Sequence, residues 1–504
     1  MRKLKDFPYA LPLIGAYPVV GLYAYNISQL EVSYLIRPLL ACIGFAFLCY
    51  FLSRALTRKH AAAVILACFL VLITFAFGII RDYGRLYPIL GIKWGAFPIS
   101  IPLWMLLTLA GGWLIAKRLK NAAALLPVVN MIAIALFVLP TYQILTYQWR
   151  QRLPSPEQPI AVTAAETAAN QSPDIYLIVV DAYSRQDVLQ EELGFDNAAM
   201  IDELTRLGFY VAPCSGSNYS ATTLQVAAVL NLDYHAELTE GQTIEPYIPA
   251  IRQKIANSYV QRYLSARGYQ IISFHNYFSF LNLPASDVYY DFRETYHFLT
   301  PFETMLLEKT PPGAFIFQAN VIPAFKYYPK YAYDSYVLDR LEEIPAAVPG
   351  PKFVYAHILM THPPYIFGPD GAYIGDEVPE EYANQSGYTD QITYLNQRLL
   401  AIIHRIMADS PTPPVILIQS DHGQFYAPHA IHQSVLNAFY LPGTPYEDWA
   451  ASLSPVNSFR LVFNRYFGEN LPLLPDRNYY LQAENNAGNE RSLQLYQAGW
   501  PGCK

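Results

Sequence analysis

Hydrophobic residues are concentrated in five long runs within the first 150 residues of the chain. Each run is roughly 18 to 25 residues long, the length at which an α-helix crosses the apolar core of a bilayer. Because the five runs follow one another with only short loops between them, the pattern favours a membrane domain over a signal peptide or a single core helix. The predicted spans are 10–28, 34–54, 61–80, 97–116 and 122–144.

A different pattern begins at residue 173, where short apolar runs alternate with amphipathic segments. The clearest helix places Ile392, Leu395 and Leu399 on one stripe, as expected of a helix packed on a sheet. This alternation predicts an α/β domain with a mostly parallel central sheet covered by helices on both faces. The predicted strands are 174–180, 208–212, 269–275, 352–359, 414–419 and 435–441, and the predicted helices lie near 196–207, 222–230, 255–267, 388–408 and 456–467.

Composition divides the chain into three parts. Residues 1–150 form the predicted transmembrane domain, and 173–504 form the predicted α/β domain. Residues 151–172 between them form a predicted linker, because small, polar and proline residues dominate there. Residues 277–375 are rich in Tyr and Pro and are predicted to form a long irregular insertion that shapes a substrate cleft or contacts the membrane surface.

Charge is distributed unevenly between these parts. The first 150 residues carry fourteen Lys and Arg against three Asp and Glu, whereas the remainder carries 20 against 37. Basic clusters in short loops favour the cytoplasmic side. We therefore expect a multi-pass membrane protein with a cytoplasmic N-terminus and an α/β domain on the outer side of the membrane. The clusters are Arg2, Lys3 and Lys5, then Arg54, Arg58 and Lys59, then Lys117, Arg118 and Lys120.

One loop on the predicted outer side departs from this charge pattern, since it contains Arg81, Arg85 and Lys93 together with Asp82. Two interpretations stay open: either these charges are solvated, or they contact phospholipid head groups or an anionic substrate. The acidic α/β domain has no basic patch interleaved with aromatic residues, so nucleic acid is not an expected partner. Cys214 and Cys503 are its only cysteines, and the sequence does not decide whether they pair.

Two acidic strand ends carry the candidate chemistry. Asp181 closes the apolar run in DIYLIVVDAYSR, and Asp421 with His422 closes the run in PVILIQSDHGQ. The carboxyl ends of strands are where open α/β sheets hold ligands and metals. We therefore predict that Asp181, Asp421 and His422 converge on one metal ion.

Between these strands lies the segment CSGSNYSATTLQVAAVLNLDY, residues 214–234. Ser220 is predicted to cap a helix whose first turn contains Thr222 and Thr223, and unpaired N–H groups at a helix start favour an anion. A Thr hydroxyl becomes a useful nucleophile when a metal lowers its pKa. The alternative is that both threonines are ordinary N-terminal helix residues.

The order of these segments resembles the alkaline phosphatase/sulfatase superfamily. After the Asp181 strand come SNYSATTLQVAAVLN, HILMTHPPY, SDHGQ, LNAFYLPG and PVNSFRLVFNRYFG. The chain is similar to the sulfatase-fold membrane proteins that include lipoteichoic acid synthases and lipid A phosphoethanolamine transferases, and more so to a bacterial group of uncharacterised sulfatase-like membrane proteins. This resemblance implies an enzyme of the bacterial inner (plasma) membrane, with an alkaline-phosphatase-like α/β domain that is periplasmic or extracellular.

Carried over residue by residue, the resemblance implies metal ligation by Asp181, Thr222, Asp421 and His422, with Thr222 as the nucleophile. Asp181 stands where the transferases have Glu, and is nearer the phosphodiesterase and sulfatase branches. The Cys/Ser-x-Pro-x-Arg signature of formylglycine sulfatases is missing from the segment at Cys214, so sulfate-ester hydrolysis by that route is not expected.

Four histidines are further candidates. The resemblance gives His362, in MTHPPY, a catalytic or substrate-binding role. His357 is a substrate-binding candidate whose alternative is a hydrogen-bonded core histidine. His429 and His432 are candidates for binding substrate or a second metal, with a surface loop as the alternative.

These residues predict a metal-dependent membrane phosphotransferase that uses zinc or manganese. It would move a phosphoethanolamine or phosphoglycerol head group from a phospholipid donor to a glycan or lipid acceptor, through a phosphorylated Thr222. Two alternatives stay open: a membrane-anchored phosphodiesterase or sulfatase-like hydrolase, and a non-catalytic envelope-assembly protein that keeps the fold. The donor head group, the acceptor and the oligomeric state are also open at this point.

Overall fold

The computed structural model describes residues 9–27, 30–88, 92–119, 121–152, 172–294, 299–318, 324–375, 385–424, 428–483 and 491–495. The chain divides into two compact units. The N-terminal unit consists of residues 1–153 and 298–326, and the α/β unit consists of residues 154–297 and 327–504. Residues 298–326, which the sequence analysis includes in the C-terminal domain, therefore group with the N-terminal helices.

Four helices of the N-terminal unit are long and apolar enough to cross a membrane: Val32–Thr57, His60–Leu86, Phe97–Arg118 and Ala122–Trp149. The prediction of five spans is not confirmed, because the first apolar run forms a helix of only 16 residues. At 1.5 Å per residue such a helix is about 24 Å long, less than the ~30 Å apolar core of a bilayer. The α-helices are α1 Ala10–Tyr25, α2 Ile36–Thr57, α3 His60–Leu86, α4 Phe97–Trp113 and α5 Ala122–Arg152.

The short helix α1 packs against α2, α3 and α5. Its buried side chains include Ile14, Val19 and Tyr23. Two polar contacts fix its ends, since the Ala10 N–H donates to the side-chain oxygen of Asn130 at 2.9 Å and Gln143 donates to the carbonyl of Ala24 at 3.1 Å. Helix α1 therefore packs closely within the N-terminal unit.

The α/β unit is built on a seven-stranded sheet with the strand order β2-β7-β6-β1-β5-β3-β4. Strand β1 pairs in parallel with β5 and β6, and β3 pairs in parallel with β4 and β5, whereas β7 is antiparallel to both β2 and β6. The strands are β1 Ile175–Val180, β2 Tyr210–Val211, β3 Gln270–Phe274, β4 Val288–Tyr290, β5 Lys352–Ile358, β6 Val415–Gln419 and β7 Asn437–Tyr440.

All six predicted strands are present, and the mostly parallel sheet is confirmed. The short edge strand β4 was not predicted. Neither was a separate antiparallel pair, β8 Tyr479–Ala483 and β9 Arg491–Leu495. Helices follow most strands: α6 Gln186–Leu193, α7 Ala198–Arg206, α8 Thr222–Asn231, α9 Ile248–Ala256, α10 Tyr259–Ser265, α11 Pro301–Glu308, α12 Pro311–Gln318, α13 Ala324–Ala347, α14 Gln385–Asp409, α15 His429–His432 and α16 Ser458–Phe467.

Alternate residues of β1 face opposite sides of the sheet, as the pleat of a strand requires. Leu177 and Val179 belong to the hydrophobic core that contains the buried side chains of α8, while Tyr176 and Ile178 belong to the core that contains those of α14. Helices therefore cover both faces, as predicted. Asp181 follows Val179 by two residues and therefore lies on the same face of the sheet, the face covered by α8.

The prediction that 277–375 is an irregular insertion is wrong for much of that segment. It contains α11, α12 and the 24-residue α13, in addition to the predicted strand β5. Helix α13 forms despite two internal prolines because it buries Tyr333, Val337 and Leu341 at successive four-residue intervals. Tertiary packing thus overrides the local effect of proline and tyrosine.

Candidate metal centre

Asp181 and Asp421 lie beyond the carboxyl ends of β1 and β6, which are neighbouring parallel strands. Val179 and Gln419 are paired across these strands, so each aspartate follows its paired residue by two positions. A step of two residues keeps a side chain on the same face of a sheet. The register alone therefore brings both carboxylates together on the face covered by α8.

Asp181, Asp421 and His422 each offer one ligand atom within 4.8 Å of the others, and all three residues are buried. His422 Nε2 lies 3.6 Å from Asp181 Oδ1 and 3.6 Å from Asp421 Oδ2. Two ligands of a tetrahedral zinc ion at ~2.1 Å would be about 3.4 Å apart. The spacing of the three atoms therefore suits a single divalent ion.

The remaining atoms of these side chains are held by the protein. The backbone N–H of Ala182 donates to Asp421 Oδ1 at 3.2 Å, and His357 Nε2 contacts Asp181 Oδ2 at 3.2 Å. His422 Nδ1 lies 2.8 Å from the carbonyl of Gly423, which assigns the proton to Nδ1 and leaves the Nε2 lone pair directed at the carboxylates. Each of the three side chains is thus oriented by a contact with the protein, as in known metal sites.

Two buried oxygens are left over, because Asp181 Oδ1 and Asp421 Oδ2 have no hydrogen-bond partner among the described residues. These are the same two oxygens that face His422 Nε2. A buried carboxylate oxygen without a donor is costly unless a cation neutralises it. The side chains present therefore fit a bound metal ion.

The ionisation of the cluster agrees with this arrangement. Burial raises the pKa of Asp181, but the neighbouring His362, His357 and His422 outweigh burial and hold that pKa below its ordinary value. Burial lowers the pKa of His422, but the carboxylates of Asp421 and Asp181 outweigh it and raise that pKa. Asp181 is therefore a carboxylate at neutral pH, the form that binds metal.

Thr222 is the first residue of α8, as predicted, but the predicted cap is wrong. The residue that precedes the helix is Ala221, which has no capping side chain, and the hydroxyl of Ser220 instead accepts the N–H of Leu481 at 3.0 Å. The β8 strand thus takes the hydroxyl that would have capped the helix. Thr222 is half-buried, whereas Thr223 is only 8% exposed.

Helix α8 and the segment before it are close to the three ligands. Val226, one turn after Thr222, lines the same small cavity as Asp421. His432 stacks on His422 with ring centroids 4.6 Å apart, and its Nε2 lies 3.1 Å from the carbonyl of Ser220. The imidazole of His432 therefore lies between His422 and Ser220, which is two residues before Thr222.

The other candidate histidines occupy different positions. His357 is 1% exposed in β5 and contacts Asp181, which is the hydrogen-bonded core arrangement that the sequence analysis gives as its alternative. His432 is half-buried, and its desolvation together with His422 lowers its pKa to about 4, so its ring is neutral at pH 7. The side chain of His429, in α15, lies outside the described part of the chain.

His362 follows β5 in a turn and is half-buried. Its Nδ1 lies 2.6 Å from the carbonyl of Pro363, and its ring packs edge-on against Phe278 at 5.7 Å between centroids. It is one of the groups that hold the pKa of Asp181 below its ordinary value. Part of the His362 ring is therefore accessible, whereas the His357 ring is buried.

Other residues hold the turn after Asp181, and none of them was predicted from the sequence. Ala182 has a φ of 60°, which is rare for a residue with a side chain. The hydroxyl of Tyr388 donates to the carbonyl of Ala182 at 2.6 Å, and the hydroxyl of Thr361 donates to the carbonyl of Asp181. No local pattern marks Tyr388, whereas the pairing of Val179 with His357 would have placed His357 beside Asp181.

Cys214 is disulfide-bonded, and Cys503, its candidate partner, lies outside the described residues. Cys42, Cys49 and Cys68 of the N-terminal helices are free and buried.

Residues 173–457 match the protein family described as Sulfatase. No curated protein sequence matches the chain. Solved structures similar to the chain include the C-terminal periplasmic domain of EcEptC from Escherichia coli, with 13% identity, 66% of this chain and 94% of that chain covered, and a TM-score of 0.42. Lipooligosaccharide phosphoethanolamine transferase A (EptA) from Neisseria meningitidis is 12% identical, with 91% and 95% coverage and a TM-score of 0.39. The lipoteichoic acid synthase LtaP from Listeria monocytogenes is 13% identical, with 62% and 78% coverage and a TM-score of 0.38.

Proposed function

Since the chain belongs to the sulfatase family of enzymes, we propose that it is a metal-dependent phosphotransferase of the bacterial inner membrane. It moves a phospho-alcohol head group, of phosphoethanolamine or phosphoglycerol type, from a phospholipid to a cell-envelope acceptor. The family match agrees with the resemblance seen in the sequence. One observation carries the proposal: two unpartnered carboxylate oxygens and an imidazole nitrogen converge beside the helix that begins at Thr222.

Asp181, Asp421 and His422 are the proposed protein ligands of a divalent metal, with the Thr222 hydroxyl as a fourth. Zinc suits a site with an imidazole, and manganese suits one rich in oxygen. When bound, the metal would lower the pKa of the Thr222 hydroxyl, so that a weak nucleophile becomes reactive at neutral pH.

The Thr222 oxygen attacks the phosphorus of the phospholipid, and the bond from phosphorus to the diacylglycerol oxygen breaks. The proton lost by Thr222 ends on the diacylglycerol hydroxyl. The N-terminal N–H groups of α8 face the phosphoryl charge, which the positive end of a helix dipole stabilises. An acceptor hydroxyl then attacks the phosphorylated Thr222, and the threonine hydroxyl is restored.

Histidines support these steps in the proposal. His362, which is half-buried and acts electrostatically on Asp181, holds the phosphate or relays the proton. His432, which is neutral and contacts the carbonyl of Ser220, positions the start of α8. His357 holds Asp181 in place. His429 is assigned to phosphate binding on its spacing after Asp421 alone.

The membrane helices support a lipid donor. Four helices can cross a bilayer by length and composition, and an α/β domain tethered to the bilayer has a phospholipid donor within reach. If water instead of an acceptor hydroxyl releases the head group, the same site acts as a membrane-bound phosphodiesterase. Asp181, which is nearer the Asp of the phosphodiesterase and sulfatase branches than the Glu of the transferases, favours this second candidate.

A mass measurement tests the proposal. Full-length protein is incubated with metal and phospholipid vesicles without acceptor. The mass of the peptide that contains Thr222 is then measured by mass spectrometry. We expect a head-group phosphate adduct that is lost in Thr222→Ala and retained in Thr223→Ala, because the two side chains point about 100° apart around the helix. An adduct on Thr223 would move the nucleophile by one residue.

If neither variant loses turnover, nucleophilic catalysis by α8 is wrong. Rapid release of free head-group phosphate without acceptor, with no increase when glycan or lipid acceptor is added, would favour the phosphodiesterase over the transferase.

A further inference from the structure

A second cluster of buried charge lies near the end of α3 in the N-terminal unit. The side chain of Arg81 is only 3% exposed, so the solvated interpretation of this charge is wrong for Arg81. The apolar run from Ala61 to Ile80 rises about 30 Å, the thickness of the apolar core of a bilayer. Arg81 therefore lies at the depth of the lipid head groups.

Two close backbone contacts build the surroundings of Arg81. The Gly78 N–H donates to the carbonyl of Lys309 at 2.9 Å, and a Cβ added at Gly78 would lie 2.5 Å from the Cα of Lys309. A Cβ added at Gly95 would overlap the carbonyl oxygen of Arg81. Only glycine at these two positions lets the α11–α12 segment and the loop before α4 pack this tightly on α3. The burial of Arg81 therefore results from the close packing of these segments on α3.

Asp82 is the only carboxylate that pairs with these cations in the described part of the chain. Its Oδ1 accepts from Arg81 Nε at 3.0 Å and from Nη2 at 2.6 Å, and its Oδ2 accepts from Lys309 at 2.8 Å. Arg85 is exposed, and its guanidinium lies 5.6 Å from the centre of the Phe97 ring, which the Arg81 guanidinium also approaches at 6.0 Å. The cluster thus contains three cations and one anion, and two of the cations are bonded to that anion.

One donor in this cluster has no acceptor. Arg81 Nη1 is buried and has no hydrogen-bond partner among the described residues. A guanidinium cannot lose its proton to avoid this cost, so the missing partner must be an acceptor, and the excess positive charge calls for an anionic one. Phosphate oxygens match the forked donors of arginine.

We propose that Arg81, Arg85 and Lys309 bind the phosphate group of a membrane phospholipid. The depth of Arg81 and the exposed apolar side chains of Leu86 and Tyr87 beside it favour a lipid over soluble phosphate. The lipid phosphate accepts from Arg81 Nη1, while its acyl chains lie along the apolar part of α3. This site binds without changing a bond, and it does not depend on the chemistry proposed for the metal centre.

Native mass spectrometry of the full-length protein tests this site. Protein with Thr222→Ala, which prevents turnover of the probe, is transferred from dioleoylphosphatidylglycerol vesicles into detergent. We expect one retained phospholipid per chain, and a loss of about tenfold in retention for Arg81→Met, the effect of one charge-assisted hydrogen bond. Dioleoylglycerol, which has no phosphate, should not be retained.

Two further variants keep the test independent of folding. Arg85→Gln changes an exposed side chain and should lower retention severalfold. Arg118→Met is the matched control, because Arg118 is also exposed and lies over an aromatic ring, 5.3 Å from the centre of Trp113. It should retain lipid as the parent does.

The proposal is overturned if both Arg81→Met and Arg85→Gln retain the phospholipid unchanged, or if Arg118→Met loses as much as Arg81→Met. Inorganic phosphate provides the remaining arm of the test. We expect it not to displace the lipid, and displacement at the same concentration as the lipid would overturn the lipid source in favour of soluble phosphate.

Discussion

The two buried clusters of charged side chains have opposite unbalanced charges. At the ends of β1 and β6, Asp181 and Asp421 face one imidazole, and two carboxylate oxygens have no donor. At the end of α3, Asp82 faces two bonded cations, and one guanidinium nitrogen has no acceptor. Because uncompensated buried charge is costly, the sign of the excess indicates the ligand: a metal cation at the first cluster and an anion at the second.

Removing a carboxylate should therefore have opposite consequences in the two clusters. Asp421→Asn removes a proposed metal ligand, and we expect metal affinity to fall more than about 100-fold, because replacing partners behind such ligands already costs ~10–100-fold. Inductively coupled plasma mass spectrometry of the purified protein over a chelator series measures this. Stoichiometric metal in Asp421→Asn at every chelator concentration would show that the ion lies elsewhere.

A smaller loss is expected behind the ligands. His357→Leu leaves Asp181 Oδ2 without its partner and should lower metal affinity ~10–100-fold. His357→Gln, which keeps a donor near the position of Nε2, should restore part of that loss. His404, which is 52% exposed, provides the control His404→Leu. Equal affinity in His357→Leu and His404→Leu would reduce His357 to a packing role.

The turn after Asp181 provides a weaker test. Tyr388→Phe removes the bond to the Ala182 carbonyl, and we expect the free energy of unfolding to fall by about 1–2 kcal/mol. Urea unfolding in detergent measures it. Tyr440→Phe, at the end of β7, is the control, because no hydrogen bond of the Tyr440 hydroxyl is found among the described residues. A loss of equal size in both variants would contradict a special role for this turn.

The smallest effect is expected at the second cluster. Asp82→Asn removes the one anion that competes with the proposed phosphate for Arg81 and Lys309, so retention of phosphatidylglycerol should stay within about twofold of the parent or increase. The native mass measurement used for Arg81→Met reports it. A tenfold decrease would mean that Asp82 positions Arg81 more than it competes with the lipid.

Much of the α/β unit could be predicted because its signals are local. Apolar runs followed by acidic residues located β1, β6 and the three candidate ligands, and the apolar stripe on α14 located its buried face. His357 could have been added by pairing β5 with β1, which requires the strand order as well as the strands. Ser220 was misassigned because its actual partner, Leu481, is 261 residues away.

The N-terminal unit was harder to predict because its contacts join residues that are far apart in the chain. Hydropathy located its helices, and the first of the five predicted spans, the 16-residue α1, is shorter than the apolar core of a bilayer. The burial of Arg81 depends on Lys309, which is more than 220 residues further along the chain. A charge in a loop and a charge in a built site have the same sequence signal, and only the packing of a distant segment separates them.

The position of helices α11 and α12 in the chain has a practical consequence for fragments of the protein. Helices α11 and α12 lie between β4 and β5 in the chain, yet they bury Phe302, Leu306 and Phe317 within the N-terminal unit. A fragment that begins at residue 172 would keep both helices and lose the surface that covers them. Such a fragment should self-associate or bind detergent micelles, since it exposes a continuous apolar patch. Replacing 299–318 by a short polar loop, and not truncation alone, should give a monodisperse catalytic domain on gel filtration.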